Sequence, residues 1–156
     1  MDIFIKYFNP EMPKIEKINV GDWIDLRVDH LSINGDRMEW QNGDKIFYSN
    51  GSLVLIHTGI AIQLPKGYEA HVAPRGSTFK KFGLIQTNSV GVIDESYCGD
   101  NDQWFVPMFA LNSCAIYRYE RVAQFRIMEK MPKLNFIEVE TLENQDRGGY
   151  GSTGYN

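Results

Sequence analysis

Short apolar segments separated by turn signals constrain the fold of this chain most strongly. Two Asn-Gly dipeptides, at positions 34–35 and 42–43, are strong hairpin signals. A Pro-Lys-Gly sequence at positions 65–67 is typical of a type II turn. Because almost no helical periodicity occurs between such signals, the sequence predicts an all-β sandwich, barrel or jelly roll.

Apolar residues that alternate or run together locate the predicted strands. The pattern predicts strands within residues 1–8, 14–20, 37–40, 53–64, 68–72, 84–93, 105–111, 115–119, 122–128 and 134–139. One short helix is predicted over Thr78–Phe82, with Ser77 as its N-cap and Gly83 as its C-terminal stop. The chain is therefore expected to be nearly all β.

Length, charge and cysteine content narrow the classes of protein to which the chain can belong. A length of 156 residues suits a single domain. The formal net charge of −4 argues against a nucleic-acid polymer or an anionic membrane as partner. Cys98 and Cys114 have neither metal-site nor disulfide-framework spacing, which is consistent with a reducing cytosol. No signal peptide or membrane-spanning run is recognised, so we expect a cytoplasmic protein.

The stretch at residues 91–99 places a carboxylate at the end of an apolar segment. Val92 and Ile93 are predicted to form a buried strand, which puts Asp94 at the edge of the core. Neighbours can set the pKa and position of such a carboxylate, as a general base requires. Tyr97 follows the turn and can offer its ring face to a ligand. An ordinary hairpin with a polar tip is the alternative, because Asp is also a turn residue.

Two further segments carry side chains suited to an anion. Arg75 and Ser77 precede the predicted helix, whose N-terminus offers free backbone N–H groups. The alternative there is a capped helix with a surface arginine. Arg121 and Gln124 stand at the start of a predicted strand, where the alternative is ordinary solvated strand residues.

The C-terminal tail, residues 143–156, is polar and rich in glycine. Such a composition cannot build a core, so the tail is expected to be mobile unless it is bound. Its glycines allow close wrapping around a ligand. Arg147 can pair with a phosphate, and Tyr150 can stack on a base. The alternative is a flexible tail without a ligand.

Taken together and in this order, five segments resemble the motifs of the trimeric dUTP pyrophosphatase (dUTPase) family. They are residues 22–26, 74–77, 88–99, 121–124 and 147–154. The resemblance extends from about Gly21 to the C-terminus. It is closest to enzymes of Gram-positive bacteria and their phages, which share the loop at residues 100–104 and a shortened fifth motif.

This resemblance implies a dUTPase-like jelly roll assembled as a homotrimer, with sites between subunits. Residues 1–142 would form the β domain, and residues 143–156 would form an arm that closes over a neighbouring site. The implied reaction is hydrolysis of dUTP to dUMP and pyrophosphate, with Mg²⁺ on the phosphates. It would keep uracil out of DNA and supply dUMP for dTMP synthesis.

The resemblance also implies a role for each motif residue. Asp94 would be the general base, and Tyr97 would pack on the deoxyribose and leave no room for a 2′-hydroxyl. The uracil edge would be read by Asn88, Gly91, Val92 and Ile93. The phosphates would be held by Arg75, Gly76, Ser77, Arg121, Gln124, Arg147, Ser152 and Thr153. Tyr150 would cap the uracil, and Asp25 would hold a metal-bound water.

The chain departs from the family pattern at three places. Asp22 and Trp23 replace a small pair in the first motif. Gly76 stands where the second motif normally has Ser, whose hydroxyl touches the bridge between the α- and β-phosphates. The fifth motif has two fewer residues between Arg147 and its aromatic residue, so this arginine would reach the phosphates from a different direction.

Two alternative functions remain open from the sequence. A dCTP deaminase shares the fold but needs a pocket that recognises an amino group and a catalytic glutamate. A regulatory protein would bind dUTP and switch a protein partner, particularly if the gene belongs to a phage. The inserted region at residues 31–50 would then be the docking surface, with Trp40, Phe47 and Tyr48 as contacts. Packing of these aromatics on their own domain is the expected alternative.

Overall fold

Short strands follow one another along most of the chain. The structure is a computed structural model that describes residues 1–151 and residue 154. Its described part contains thirteen strands and one helix, α1 (Thr78–Phe82). The strands are β1 (Phe4–Tyr7), β2 (Ile24–Arg27), β3 (His30–Ile33), β4 (Asp36–Arg37), β5 (Lys45–Tyr48), β6 (Leu53–His57), β7 (Ile60–Gln63), β8 (Tyr68–Pro74), β9 (Leu84–Gln86), β10 (Gly91–Ile93), β11 (Phe105–Ala110), β12 (Cys114–Tyr117) and β13 (Arg121–Glu129).

Two larger sheets enclose the core. One has the strand order β10-β8-β13-β2, and the other has the order β4-β3-β6-β11-β9. Two further pairs, β1-β7 and β12-β5, complete the described strands. Every pairing is antiparallel, with β8 and β13 paired from Pro74 opposite Ala123 to Tyr68 opposite Glu129. The predicted all-β class with one short helix is confirmed.

The core is a single apolar cluster to which both sheets contribute. Trp104 is 1% exposed and Phe125 of β13 is 2% exposed. Their rings meet edge to face, with centroids 5.1 Å apart and an interplanar angle of 83°. This geometry suits the ring quadrupoles, and each buried aromatic or aliphatic side chain contributes about 1.5–3 kcal/mol by leaving water.

The predicted turns form where the sequence placed them. Asn34 and Gly35 have φ angles of +50° and +91°, as a type I′ turn between β3 and β4 requires. Gly43, of the second Asn-Gly dipeptide, has a φ of +83° in the turn before β5. Gly67 has a φ of +86° at the third position of the predicted type II turn. Local backbone chemistry therefore determines these reversals.

Two predicted strands are wrong. Residues 14–20 form no ladder, and the Ile15 N–H instead donates to the Tyr7 hydroxyl at 2.8 Å. Residues 134–139 are extended but unpaired within the described chain, and the Phe136 side chain is 91% exposed. Alternation makes a segment able to form a strand, but a strand also needs a partner edge, which these segments lack here.

Other predicted strands are divided or shortened. The run at residues 84–93 is split into β9 and β10 by a turn in which Ser89 has a φ of +58°. Val92 was expected to be buried, but its side chain is 59% exposed. The run at residues 53–64 breaks at Gly59, and only Asp36–Arg37 forms a strand where residues 37–40 were predicted. In that last case Trp40 turns inward, and its indole N–H donates to the Asp29 carbonyl at 3.1 Å.

The predicted helix Thr78–Phe82 is confirmed. Gly83 ends it with a φ of +63°. Ser77 stands at the N-cap position but, in the described structure, makes no side-chain capping hydrogen bond. The Thr78 hydroxyl accepts from the Arg75 N–H at 2.8 Å instead. This helix has 5 residues, and across the described residues no helix has the length and apolar character needed to cross a membrane.

Candidate active site

Charged and polar side chains gather where β8 ends and α1 begins. Arg75 and Ser77 follow β8 directly. Gln124 of β13 pairs with Ala73 of β8 on one side and with Asp25 of β2 on the other. The Gln124 amide donates to the Pro74 carbonyl at 3.1 Å, which holds it against the end of β8. We call this group, with Arg121 at the start of β13, the strand-end cluster: Asp25, Arg75, Ser77, Arg121 and Gln124.

The strand-end cluster has more positive than negative charge. Asp25 Oδ1 lies 2.7 Å from Arg75 Nε, and Asp25 Oδ2 lies 3.4 Å from Arg121 Nη1. One carboxylate therefore faces two guanidinium groups. Asp25, Arg75 and Ser77 line the same open cavity, next to Gln124. Guanidinium groups are suited to phosphate because they present several N–H donors in a fixed fork.

A β-bulge directs Arg121 at the edge of this cluster. Arg121 pairs with Arg27, and the register then shifts before Ala123. A bulge bends the strand and re-aims the side chain next to it. The Arg27 guanidinium is occupied elsewhere, because it donates to the Tyr119 carbonyl at 2.9 Å. Arg121 is exposed and keeps donors available for an anion.

Gly76 is not required by the local backbone. A Cβ built at this position would have none of the described atoms within 4 Å. Its φ also lies outside the left-handed region that favours glycine. A serine at this position would therefore fit without strain.

A second group of predicted residues lies in the hairpin between β9 and β10. Gln86 donates from its amide nitrogen both to the Asn88 Oδ1 and to the Val72 carbonyl, each at 2.9 Å. These bonds direct the Asn88 Nδ2 donor group away from Gln86. A Cβ at Gly91 would lie 3.3 Å from that nitrogen, so glycine gives the amide room against the strand. Gln86 is thus a supporting residue that the sequence analysis missed.

Strand β10 lies at the edge of its sheet. Within residues 1–151 it pairs with β8 alone, with Val92 opposite His71. The outer edge of such a strand presents backbone donors and acceptors at fixed spacing. The burial predicted for Val92 is wrong, because successive side chains of a strand point to opposite faces and Val92 points to the exposed one. Alternate residues of β10 therefore have backbone donors and acceptors available at the outer edge for a planar polar ligand.

Asp94 is held by three hydrogen bonds at the end of β10. Its Oδ1 accepts from the Ser96 N–H at 2.9 Å and from the Ser96 hydroxyl at 2.7 Å. Its Oδ2 accepts from Lys130 Nζ at 3.2 Å. The Ser96 hydroxyl, then the Ser96 N–H, then Lys130 lower the pKa of Asp94 to about 2. The carboxylate is therefore ionised at neutral pH and able to accept a proton.

Tyr97 is held in place beyond Asp94. Its hydroxyl donates to the Gln103 carbonyl at 2.8 Å, and its side chain is 37% exposed. Burial, then the charge of Asp102, raises the pKa of the Tyr97 phenol, so the hydroxyl stays a donor. Asp102 also accepts from the Gly99 N–H at 2.8 Å. The loop at residues 100–104 therefore holds the Tyr97 hydroxyl in place.

The two groups of residues lie far apart within one chain. Asp94 follows Ile93, which pairs with Ala70 near the beginning of β8. Arg75 follows the other end of the same strand. Asp94 is thus level with Glu69, and the six residue steps from Glu69 to Arg75 correspond to about 20 Å of strand. One copy of the chain therefore does not bring Asp94 to the strand-end cluster.

The predicted tail residues are only partly described. Arg147 and Tyr150 are both exposed. Ser152 and Thr153 lie outside the described residues. The roles predicted for these four residues stay predictions.

The described side chains suit a metal ion that is held mainly by the phosphates of a bound substrate. In residues 1–151 and 154, no three His, Cys, Asp or Glu side chains group in a way that could hold a metal ion. Mg²⁺ commonly takes substrate phosphates and waters with only one or two carboxylates, so this arrangement fits a phosphate-bound ion. Both oxygens of Asp25 already face arginines. Asp25 therefore fits contact with such an ion through a water.

The inserted region at residues 31–50 packs mainly on its own domain. The Tyr48 hydroxyl donates to the Phe82 carbonyl at 2.6 Å, and Tyr48 is 4% exposed. Trp40 is held by its hydrogen bond to Asp29. Phe47 is 58% exposed, with Lys45 Nζ 5.1 Å from its ring centroid. Trp40 and Tyr48 thus pack on their own domain, which is the arrangement predicted as the alternative to a docking surface.

Three residues that support Asp94 were not identified from the sequence, and they differ in how much signal they leave there. Ser96 lies two residues after Asp94, where an Asx turn is a recognisable local pattern. Glu95 and Lys130 contact each other although 35 residues separate them. Only the pairing of β13 with β8, and of β8 with β10, brings Lys130 to the hairpin.

Comparisons with known proteins agree with this geometry. The family model for dUTPase matches residues 43–154. The chain is 50% identical, over 155 residues and 99% of both chains, to the SPbeta prophage-derived deoxyuridine 5′-triphosphate nucleotidohydrolase of Bacillus subtilis. It is 40% identical over 105 residues to the deoxyuridine 5′-triphosphate nucleotidohydrolase of Corynebacterium diphtheriae, covering 66% of this chain and 68% of the relative.

Solved structures show the same fold at low sequence identity. The dUTPase of Streptococcus mutans aligns with a TM-score of 0.64 and 22% identity, over 84% of this chain and 98% of that one. The dUTPase of Staphylococcus bacteriophage 80alpha, solved with dUpNHpp, aligns with a TM-score of 0.67 and 20% identity, over 99% of each chain. The fold, the matched family model and the full-length similarity lead to one conclusion: the chain belongs to the dUTPase family of deoxyuridine 5′-triphosphate nucleotidohydrolases.

Proposed function

We propose that this chain hydrolyses dUTP to dUMP and pyrophosphate, with Asp94 as the general base. The observation that carries the proposal is the geometry at the end of β10. An ionised carboxylate stands there, in a turn where the Tyr97 N–H donates to the Asp94 carbonyl at 3.0 Å, and Asn88 lies at the other end of the same strand. In this reaction Asp94 takes a proton from water, and the water oxygen bonds to the α-phosphorus. The bond from that phosphorus to the α–β bridging oxygen breaks and releases pyrophosphate.

The complete site would be assembled from several copies of the chain in a homotrimer. The separation of about 20 Å between Asp94 and the strand-end cluster supports this arrangement. One copy would supply Asn88, Asp94 and Tyr97, and another would supply Arg75 and its neighbours. Each copy would then take part in more than one site, as closed rotational symmetry allows.

The strand-end cluster would hold the triphosphate. Arg75, Arg121 and Gln124 present N–H donors, and the Ser77 hydroxyl is not used in capping the helix in the described structure. Binding of phosphate would draw the guanidinium groups from Asp25 toward the stronger negative charge. Mg²⁺ on the phosphates would neutralise part of their charge, with Asp25 contacting it through a water.

Base and sugar would be recognised at the hairpin. The Asn88 amide and the backbone of Gly91, Val92 and Ile93 offer donors and acceptors that suit the edge of uracil. The Tyr97 ring, fixed through Gln103, would pack on the deoxyribose. A 2′-hydroxyl would collide with that ring, so a ribonucleotide is rejected by a clash.

The C-terminal arm, residues 143–156, would close the site formed by neighbouring copies, while residues 1–142 form the β domain. Arg147, Ser152 and Thr153 would contact the phosphates, and Tyr150 would stack on the uracil. The exposure of Arg147 and Tyr150 is consistent with side chains that find their partner in another molecule. In the cell, the reaction would keep uracil out of DNA and supply dUMP for dTMP synthesis.

The proposal is tested by measuring pyrophosphate release with Mg²⁺ from dUTP, UTP, dCTP and dTTP in parallel. We expect rapid release from dUTP alone. The Tyr97→Ala variant should gain activity toward UTP, because the clash with the 2′-hydroxyl is removed. Equal release from all four nucleotides, or release from dCTP accompanied by deamination, would contradict the proposal.

A further inference from the structure

We propose that Lys130 is a positioning residue that holds the Asp94 carboxylate in the orientation needed to take a proton from water. This inference rests on the proposed function, because it assigns a partner to the proposed base. Lys130 contacts the carboxylate directly and is assigned no contact with the nucleotide. It follows directly after β13, at the point where the described chain leaves the sheet.

The Lys130 ammonium bridges two carboxylates at equal distance. Its Nζ lies 3.2 Å from Asp94 Oδ2 and 3.2 Å from Glu95 Oε1. Without this cation, two adjacent carboxylates would repel each other. The lysine reduces this repulsion, and it draws Asp94 toward a defined position.

A hydrogen bond from its own backbone fixes Lys130 against the turn before β8. The Lys130 N–H donates to the Gly67 carbonyl at 2.9 Å. The Gly67 N–H donates to Glu95 Oε2, whose other oxygen accepts from the lysine ammonium. Gly67, Glu95 and Lys130 thus close a ring of hydrogen bonds. Because Gly67 has a φ of +86°, this ring depends on the type II turn before β8.

The two oxygens of Asp94 have different surroundings. Oδ1 accepts two hydrogen bonds from Ser96, whereas Oδ2 accepts one, from Lys130. An ionised carboxylate oxygen has about two lone-pair sites, so Oδ2 keeps one for a water proton. The structure assigns Oδ2 as the oxygen that takes the proton, with Lys130 setting its direction.

The neighbouring charges do not compete for this lysine. On the adjoining strand β8, the Glu69 carboxylate contacts the His71 ring at 2.9 Å. The side chain of Lys130 is 34% exposed and that of Asp94 is 50% exposed. Such exposed pairs add little to folding stability. Lys130 is therefore expected to matter for geometry more than for stability.

The kinetic test compares full-length Lys130→Met and Lys130→Arg with the wild-type protein. Met keeps the length and apolar stem of the side chain but removes the charge. We expect Lys130→Met to lower kcat for dUTP by about tenfold or more while KM changes little, because a misplaced base affects the chemical step. Lys130→Arg should restore most of the loss.

Lys66→Met is the matched control, because Lys66 is an exposed lysine in the same turn as Gly67. It should leave kcat unchanged. An unchanged kcat in Lys130→Met, or an equal loss in Lys66→Met, would overturn the proposal. Thermal unfolding of the same proteins identifies any loss caused by unfolding, and a loss of kcat explained in that way also counts against the proposal.

A second measurement does not depend on turnover. Carbon-13 NMR of the Asp94 carboxyl, assigned with Asp94→Asn, follows its titration in the full chain. Loss of Lys130 should move the titration midpoint upward, and Ser96→Ala should move it further, because the Ser96 hydroxyl lowers the pKa of Asp94 more than Lys130 does. An unmoved midpoint in Lys130→Met would overturn the inference. If the wild-type protein released no pyrophosphate, the proposed function would fail while this result still decided whether Lys130 acts on Asp94.

Discussion

At the scale of single residues, Gly76 is a departure from the family pattern that the backbone does not require. A side chain there meets none of the described atoms within 4 Å. We expect Gly76→Ser to raise kcat for dUTP by about tenfold. This is the rate effect of one hydrogen bond from the serine hydroxyl to the negative charge that develops on the α–β bridging oxygen. The measurement is steady-state pyrophosphate release.

Gly76→Ala is the matched control for that substitution. It adds the Cβ without the hydroxyl, so it tests whether backbone restriction alone changes the rate. Equal rates for the Ser and Ala variants would show that the missing hydroxyl does not limit turnover in this protein.

The chemistry of single site residues could be predicted from the sequence to a limited depth. Asp94 and Tyr97 stand out because a polar tip follows an apolar strand, and both side chains make hydrogen bonds in the structure. Gln86 and Lys130 could not be found in this way. Gln86 lies inside an apolar run, and 36 residues separate Lys130 from Asp94. Such contacts depend on strand pairing, which local sequence does not encode.

At the scale of elements, strands β3 and β6 bring two histidines together in a mostly buried position. His30 and His57 have ring centroids 6.2 Å apart, and Ser32 Oγ lies 2.9 Å from His57 Nε2. Burial, more than the nearby Arg37, lowers the pKa of each histidine below 6.5. The folded state therefore favours the neutral rings.

This pairing predicts acid sensitivity of the fold. Because the folded pKa values are depressed, the unfolded chain binds more protons as pH falls below 6.5. The contribution of the two neutral histidines to the free energy of unfolding is fully present above pH 6.5. It is lost progressively as the pH falls toward their lower pKa values in the folded state. Urea unfolding should show a free energy of unfolding that decreases from neutral pH toward about pH 5.

Two variants separate these histidines from general acid effects. His57→Gln can keep a polar contact with Ser32 but cannot titrate, so the fall in stability should become shallower. His71→Gln is the control, because His71 is half-buried and paired with Glu69. An unchanged slope in His57→Gln would contradict this account.

Turns and helix ends could be predicted where the local sequence determines the backbone conformation. The turns at residues 34–35 and 65–67 need residues that accept positive φ, and Gly35 and Gly67 provide them. The helix end at Gly83 follows from the same property. The predicted strands at 14–20 and 134–139 were wrong because apolar alternation does not reveal whether a partner edge exists. The exposure of Val92 has a related origin, since an apolar run does not reveal which face of the strand meets the core.

At the scale of the whole molecule, the separation of Asp94 from Arg75 predicts complementation between inactive variants. Arg75→Ala and Asp94→Asn should each be inactive alone. When both are produced together, a mixed trimer should contain a site with Arg75 from one copy and Asp94 from another. Pyrophosphate release should therefore return in mixed trimers purified through two different tags.

The control mixes two lots of Asp94→Asn that carry the same two tags. No site in such a trimer has an intact base, so no activity should return. Inactivity of correctly mixed Arg75→Ala and Asp94→Asn trimers would contradict a site shared between copies.

The central claim is that Asp94 acts as the base in hydrolysis of dUTP, and the most direct measurement pairs pyrophosphate release with dUTP binding in Asp94→Asn. Asparagine keeps an acceptor for the Ser96 bonds but removes the negative charge and the basicity. We predict calorimetric binding of dUTP close to that of the wild-type protein, with turnover reduced by roughly 10²–10⁴-fold. Turnover by Asp94→Asn near the wild-type rate would contradict the account.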